Sequence, residues 1–159
     1  MPDRPRRAPA RLAAFVSALT GPCAGPAPWT CWVPGEPKAM QTGSVVRAGD
    51  RLIPIRRHTE WGNRVALAAN QARPPALFAG PLTVALEFHR QRPTSAKKSV
   101  TEPITRPDLG NLSKGLLDAL QGIVYRDDAQ IVELRERKRF AGPEGPGVAI
   151  TVYPYTEAA

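Results

Sequence analysis

The chain has 159 residues, 42% of them apolar, which suffices for one hydrophobic core and is too little for two comfortable domains. Its 22 Lys and Arg against 14 Asp and Glu leave a net charge of +8, a balance that suits a polyanionic partner and equally a solvated basic surface. The two cysteines, Cys23 and Cys31, form no CxxC pair and have no histidine at ligand spacing, which argues against zinc and against a disulfide scaffold; no apolar run approaches the roughly 20 residues of a membrane span.

Residues 1–28 are rich in Pro, Ala and Arg and read as an extension that is disordered or forms a short helix. Its basic start and the run Leu12 to Leu19 superficially resemble a secretory signal, but Pro9 and Arg11 intrude and the apolar stretch is short. The folded domain is expected over residues 29–155. Trp29 to Val33 reads as a first strand, stopped by Pro34-Gly35 and Pro37. Ser44 to Arg47 and Arg51 to Ile55 form a hairpin around Ala48-Gly49-Asp50. His58 to Ala72 has near-helical spacing in Trp61, Val65, Leu67, Ala68 and Ala69, with Thr59 as N-cap and Pro74-Pro75 as stop.

Pro81 to Arg90 alternates Leu82, Val84, Leu86 and Phe88 with Thr83, Ala85, Glu87 and His89, the pattern of a strand with one buried face. The polar stretch Gln91 to Thr105, with Arg92, Lys97 and Lys98, is either a nucleic-acid-contacting flap or a plain connector. Asp108 to Gln121 is a second helix. At about 100° per residue, Leu109, Leu112, Leu116 and Leu120 share one stripe, with Asn111, Lys114, Gly115 and Asp118 opposite. Gln130 to Phe140 is a strand carrying Ile131, Glu133, Arg135, Arg137 and Arg139 on one face, and Val132, Leu134, Glu136 and Lys138 on the other. Gly147 to Tyr153 reads as a last strand paired with its predecessor through the Gly142 to Pro146 turn. The elements imply a small α/β (α+β) domain, a mixed sheet packed by two main helices.

Hydrolysis of a phosphodiester needs a deprotonated nucleophile and a stabilised leaving oxygen, which one or two divalent cations held by carboxylates can provide. Asp108 and the pair Asp127-Asp128 offer such carboxylates. Of two adjacent residues in an extended segment only one points into a site, so Asp128 is expected to face the metal and Asp127 to orient the turn or face solvent. Lys114 would then neutralise a phosphate oxygen or developing charge. On spacing alone the plainer account is the stronger one, with Asp108 an N-cap, Lys114 and Asp118 an exposed i,i+4 pair and Asp127-Asp128 a turn. His58 and His89 are isolated, Trp29, Trp32 and Trp61 read as core, and no Gly-rich phosphate loop is present.

The wording of the sequence tips the balance. Pro107-Asp108-Leu109-Gly110-Asn111-Leu112, Lys114, Asp118-Ala119-Leu120, Gly122 and Asp127-Asp128-Ala129-Gln130-Ile131-Val132 together resemble the RusA family of crossover (Holliday) junction endodeoxyribonucleases of phage and prophage type. The resemblance follows the order of elements from Trp29 to Tyr153 and is sharp over residues 106–140. It implies a homodimer that binds four-way DNA junctions and nicks two strands symmetrically with Mg2+ or Mn2+, in recombination and repair, with no membrane association and a cytoplasmic location. It also implies that Asp108 and Asp128 are catalytic metal ligands, joined by Asp127 in the metal set, and that Lys114 is the essential lysine. Pro34-Gly35-Glu36-Pro37-Lys38 looks like the family's basic N-terminal loop, although Ala39-Met40-Gln41 departs from the commoner arginine-rich form. With Lys38, the DNA contacts expected are Arg92, Lys97, Lys98, Arg135, Arg137 and Lys138. One departure bears on catalysis: the family's Asp-x-Asp-Asn has Gly110 in its second acidic position, which removes a ligand atom. Asp118, Asp127 and Glu133 are the substitutes to consider, with Asp118, about three helical turns from the helix start, least able to reach. A junction-binding protein of weakened or absent catalysis, and a general nucleic-acid or RNA-binding module, are the competing readings.

Overall fold

A computed structural model describes residues 27–39, 45–48, 50–54 and 60–157. The expectations for the N-terminal extension before residue 27, and for Thr59 and His58, lie outside that set. In chain order the elements are β1 (Trp29–Pro34), β2 (Val45–Ala48), β3 (Arg51–Pro54), α1 (Glu60–Gln71), β4 (Leu82–Arg90), α2 (Leu109–Leu120), a 3-10 turn (Asp128–Gln130), β5 (Ile131–Phe140) and β6 (Gly147–Pro154). β2 and β3 pair antiparallel as the hairpin expected from the sequence. The other strands form a mixed four-stranded sheet in the order β1-β6-β4-β5, parallel between β4 and β5 and antiparallel elsewhere, the α+β arrangement anticipated.

Two expectations about the strands are corrected. β6 does not pair with β5: it hydrogen-bonds to β4 and β1, and β4 lies between the last two strands. The chain reaches β5 from β4 through α2, a crossover that sets the two strands parallel, and β6 then returns antiparallel along β4's other edge. β4 is also not half exposed. Eight of its residues, Leu82 to His89, are buried. The alternation reports two different environments, one apolar and one polar, both removed from water.

Leu82, Val84, Leu86 and Phe88 join Trp29, Cys31, Val33, Val148, Ile150 and Val152 in one core cluster with Trp61, Val65 and Ala69 of α1 and Leu112, Leu116 and Leu120 of α2. Burial holds the Cys31 thiol in its neutral form, at about 11. In α1 the buried positions are Trp61, Val65 and Ala69, while Leu67 is 60% exposed, since it lies about 240° around the helix from Trp61. Gly115 is likewise buried, not exposed with Lys114 as the wheel suggested. Trp29 Nε1 donates to the carbonyl of Ala72 at 2.7 Å, locking the end of α1 to β1.

On the sheet's second face the buried groups are polar and satisfy one another. Thr83 donates to Glu133 at 2.9 Å. Glu87, 5% exposed, is the hub: its Oε1 lies 2.8 Å from His89 Nε2 and 3.3 Å from Arg139 Nη1, and its Oε2 accepts from Arg137 Nε at 2.6 Å. His89 Nδ1 lies 2.9 Å from Glu144 on its other side, and the Trp32 ring meets the imidazole edge-on at 5.1 Å. Burial pushes the Glu87 carboxyl upward, but the His89 and Arg137 hydrogen bonds and charges outweigh it and hold it down at about 2, against the usual 4.5.

Because its folded value lies below the unfolded one, ionised Glu87 stabilises the fold in full above about pH 4.5, and that contribution disappears as the pH falls toward 2. Glu87→Gln is expected to cost about 3 kcal/mol at neutral pH, because it removes the buried carboxylate that His89 and the partly exposed Arg137 and Arg139 share. It should also flatten the loss of stability between pH 4.5 and 2, which urea titrations across that window would measure.

Candidate metal and nucleic-acid site

Helix α2 positions Asp108, Gly110, Asn111 and Lys114 of the motif. Asp108 is its N-cap in extended conformation, but its carboxylate does not cap a backbone N–H; Oδ1 instead accepts from Asn111 Nδ2 at 2.6 Å. The carboxylate is thus exposed and oriented by its own motif asparagine. Lys114 is exposed one turn beyond Asn111 and on the same flank. Gly110 occupies the second helical position, and a Cβ added there would meet no heavy atom within 4 Å.

The segment leading into Asp108 is fastened to the carboxyl ends of the two parallel strands. Lys138 on β5 donates to the carbonyls of Thr105 at 2.9 Å and Pro107 at 3.0 Å. Arg90, the last residue of β4, donates from Nη1 to the carbonyl of Arg106 at 3.1 Å and from Nε to Glu36 at 2.6 Å. Glu36 also accepts from the Gln91 amide at 2.8 Å, so the Pro34 to Lys38 loop is tied to the end of β4. Arg92 stacks over Phe140 at 4.8 Å and donates to the carbonyl of Lys97 at 2.8 Å, which closes the base of the basic loop while Lys97 and Lys98 remain exposed. Asp108 thus shares this end of the sheet with Lys38 and the Arg92 to Lys98 loop, at the carboxyl ends of parallel strands where open α/β sheets bind ligands.

The second acidic cluster lies at the other end of α2. Tyr125, fully buried, donates its hydroxyl to the carbonyl of Leu117 at 2.8 Å. Burial raises its pKa, and the charges of Asp128 and Asp118 raise it further, which sets both carboxylates around the last turns of the helix. Asp127 caps the 3-10 turn, accepting from the Ala129 amide at 2.8 Å. Gln130 completes the box: its Oε1 accepts from the Arg126 and Asp127 amides and its Nε2 donates to the carbonyls of Phe78 and Gly80 at 3.1 and 3.0 Å. Asp127 therefore builds the turn, and Asp128, exposed, is the residue the turn presents.

Asp108 and Asp128 are separated by the length of α2, 12 residues, which at 1.5 Å per residue is about 18 Å. One protomer does not bring them together. Among the described residues no group of three or more His, Cys, Asp or Glu side chains is placed to hold a metal. A single protomer's donors thus do not fit a divalent cation, although the donor chemistry, exposed carboxylates beside a lysine, suits one.

The arginine row of β5 exists as expected from the sequence, yet its members face carboxylates. Arg135 pairs with Glu133 at 2.8 Å, which raises the arginine and lowers the glutamate, while Arg137 and Arg139 both meet Glu87. Lys138 points the opposite way, to the helix face, as its bonds to Thr105 and Pro107 require. The sequence reading did not anticipate the roles of Glu36, Arg90 and Gln130. Gln130 alone carried a signal, its place three residues after Asp127, the spacing of a capping box.

A family model described as Endodeoxyribonuclease RusA matches residues 34–153. Uncharacterized protein YqaN of Bacillus subtilis (strain 168) is 35% identical over 130 residues, covering 74% of this chain and 90% of its own. No described helix is long and apolar enough to cross a membrane.

The Gln130 side chain replaces four backbone partners at once, so Gln130→Ala is expected to cost about 2 kcal/mol or more. Hydrogen exchange at the Arg126 and Asp127 amides, which lose their acceptor, should accelerate selectively, and exchange measured by NMR or mass spectrometry checks this.

Proposed function

The chain belongs to the RusA endodeoxyribonuclease family, and from that membership we propose that it resolves four-way DNA junctions as a homodimer, by hydrolysis dependent on Mg2+ or Mn2+. The observation that carries this reading is the placement of the motif carboxylates, both exposed and at opposite ends of α2. Two copies related by a two-fold axis, with their α2 helices antiparallel, would set Asp108 of one subunit beside Asp128 of the partner subunit, and the reverse at a second, equivalent site. Two identical sites related by a two-fold axis suit a junction, whose paired strands are cut symmetrically.

A divalent cation held at such a site supplies Lewis acidity and an activated water. The chain's own residues do the rest. Asp108, kept in orientation by Asn111, and Asp128, presented by the Asp127 and Gln130 turn, hold the charge. Lys114 offsets negative charge on the scissile phosphate. Lys38, Lys97 and Lys98, at the Asp108 end, contact the sugar-phosphate backbone, a sequence-independent attraction that salt weakens. DNA as substrate makes the cytoplasm the working compartment.

Gly110 favours a second reading, binding of junctions with weak or no cleavage, since the family's second acidic position has no ligand atom. In that case a four-way junction is bound but not nicked, and Gly110→Asp, which has open space, restores nicking.

Asp128→Asn separates the enzyme from a passive binder. It is expected to lower Mg2+-dependent nicking of a synthetic four-way junction by more than the roughly 10–100-fold that loss of an outer-shell partner costs, with junction affinity unchanged in gel-shift titrations. Undiminished nicking by this variant would refute the assignment.

A further inference from the structure

The basic loop after β4 carries an apolar side chain that the fold leaves outside. Ile104 is 83% exposed, more than any other large hydrophobic residue among those described; Leu67, next at 60%, stands on a helix. One exposed apolar residue needs no explanation in itself. What sets Ile104 apart is how firmly the backbone presents it and what charge surrounds it in the chain.

The presentation is rigid. The Ile104 amide donates to the carbonyl of Glu102 at 3.0 Å, closing a tight turn around Pro103, and Pro103 is itself buried. On the other side the carbonyls of Thr105 and Pro107 accept from Lys138, and that of Arg106 from Arg90. The chain is thus held both before and after Ile104, and the β-branched side chain has few rotamers of its own. Little conformational freedom is left to lose when a partner covers it.

The charge around it indicates the partner. From Gln91 to Arg106 the loop carries Arg92, Lys97, Lys98 and Arg106 against the single acid Glu102, and Lys97, Lys98 and Arg106 are exposed. Two copies of so basic a segment repel each other, whereas a polyanion is attracted to it. Asp108 follows four residues later, so even a fully extended chain keeps the two within about 14 Å.

We propose that Ile104 is a wedge that enters between the bases where strands exchange at a four-way junction, and that it selects the branch point over linear duplex. This rests on the junction-binding reading above and deepens it by naming the residue that sets selectivity. Parting stacked bases is costly, and least so where stacking is already interrupted. An apolar side chain held out from a basic loop therefore finds its place at the branch point rather than along continuous duplex, and it reads structure without reading sequence. Lys97 and Lys98 attract both forms of DNA alike, through the sugar-phosphate backbone.

The test uses the full-length chain without divalent metal and a synthetic four-way junction with 2-aminopurine, whose fluorescence rises on unstacking, at the branch point. The unaltered chain is expected to raise the fluorescence severalfold. Ile104→Ala should leave it near that of free junction and weaken junction affinity at least about tenfold, with affinity for linear duplex unchanged. Ile104→Met, which keeps an apolar wedge, should retain both signals, while Lys98→Ala should weaken junction and duplex binding alike. Ile104→Ala should also melt and sediment as the unaltered chain does. If Ile104→Ala binds the junction and raises the fluorescence like the unaltered chain, the wedge is overturned while junction binding stands. If that variant loses its partner subunit in sedimentation, Ile104 belongs to a contact between copies and the wedge is overturned as well. If the unaltered chain binds junction no better than duplex, the junction reading falls and this inference with it.

Discussion

A rigid helix holds the two motif carboxylates apart. α2 joins parallel β4 to β5, and a parallel pair demands a crossover of this kind, so the helix must traverse the sheet from the carboxyl end of one strand to the start of the next. Whatever stands at its two ends is separated by its length. Asp108 is fastened to one end through Lys138 and Arg90, and Asp128 to the other through the capped turn and buried Tyr125. Neither can drift toward the other without breaking these hydrogen bonds or unpacking the buried Leu112, Leu116 and Leu120. Chemistry that needs both carboxylates around one ion therefore needs a second chain.

The same crossover explains the sheet's second face. Placing β4 between β5 and β6 makes it a central strand paired along both edges, and the charges on its second face persist only because they neutralise one another. Glu87 answers to His89, Arg137 and Arg139 at once. Arginines that a sequence presents as a basic row are in this way drawn largely into the architecture, and the positive charge left for a polyanion lies elsewhere, on the exposed lysines of the Lys38 loop and of the Arg92 to Lys98 segment. The charge balance of the chain is thus divided between holding the sheet together and meeting a partner.

The helices, the hairpin, the strands and the turn at Asp127 were legible in the sequence because each is set by local rules: leucines at helical spacing, alternation in Leu82 to Phe88, prolines after Val33 and a paired acidic turn at Asp127-Asp128. Strand order was not, since the turn before Gly147 suits a hairpin as well as a return to β4, and only the need to pair both edges of β4 decides between them. The motif named Asp108, Lys114 and Asp128, but their distance apart depends on the crossover, which no spacing rule discloses.

The central claim is that each catalytic site draws Asp108 and Asp128 from different subunits. Chains carrying Asp108→Asn and Asp128→Asn, each inactive by itself, can be given different affinity tags, allowed to exchange subunits and purified as mixed dimers. Such a dimer keeps both carboxylates intact in one of its two sites and neither in the other, so recovered nicking of a four-way junction, confined to one of the two symmetric positions, is the predicted result. Mixed dimers that bind the junction and remain inactive would contradict it.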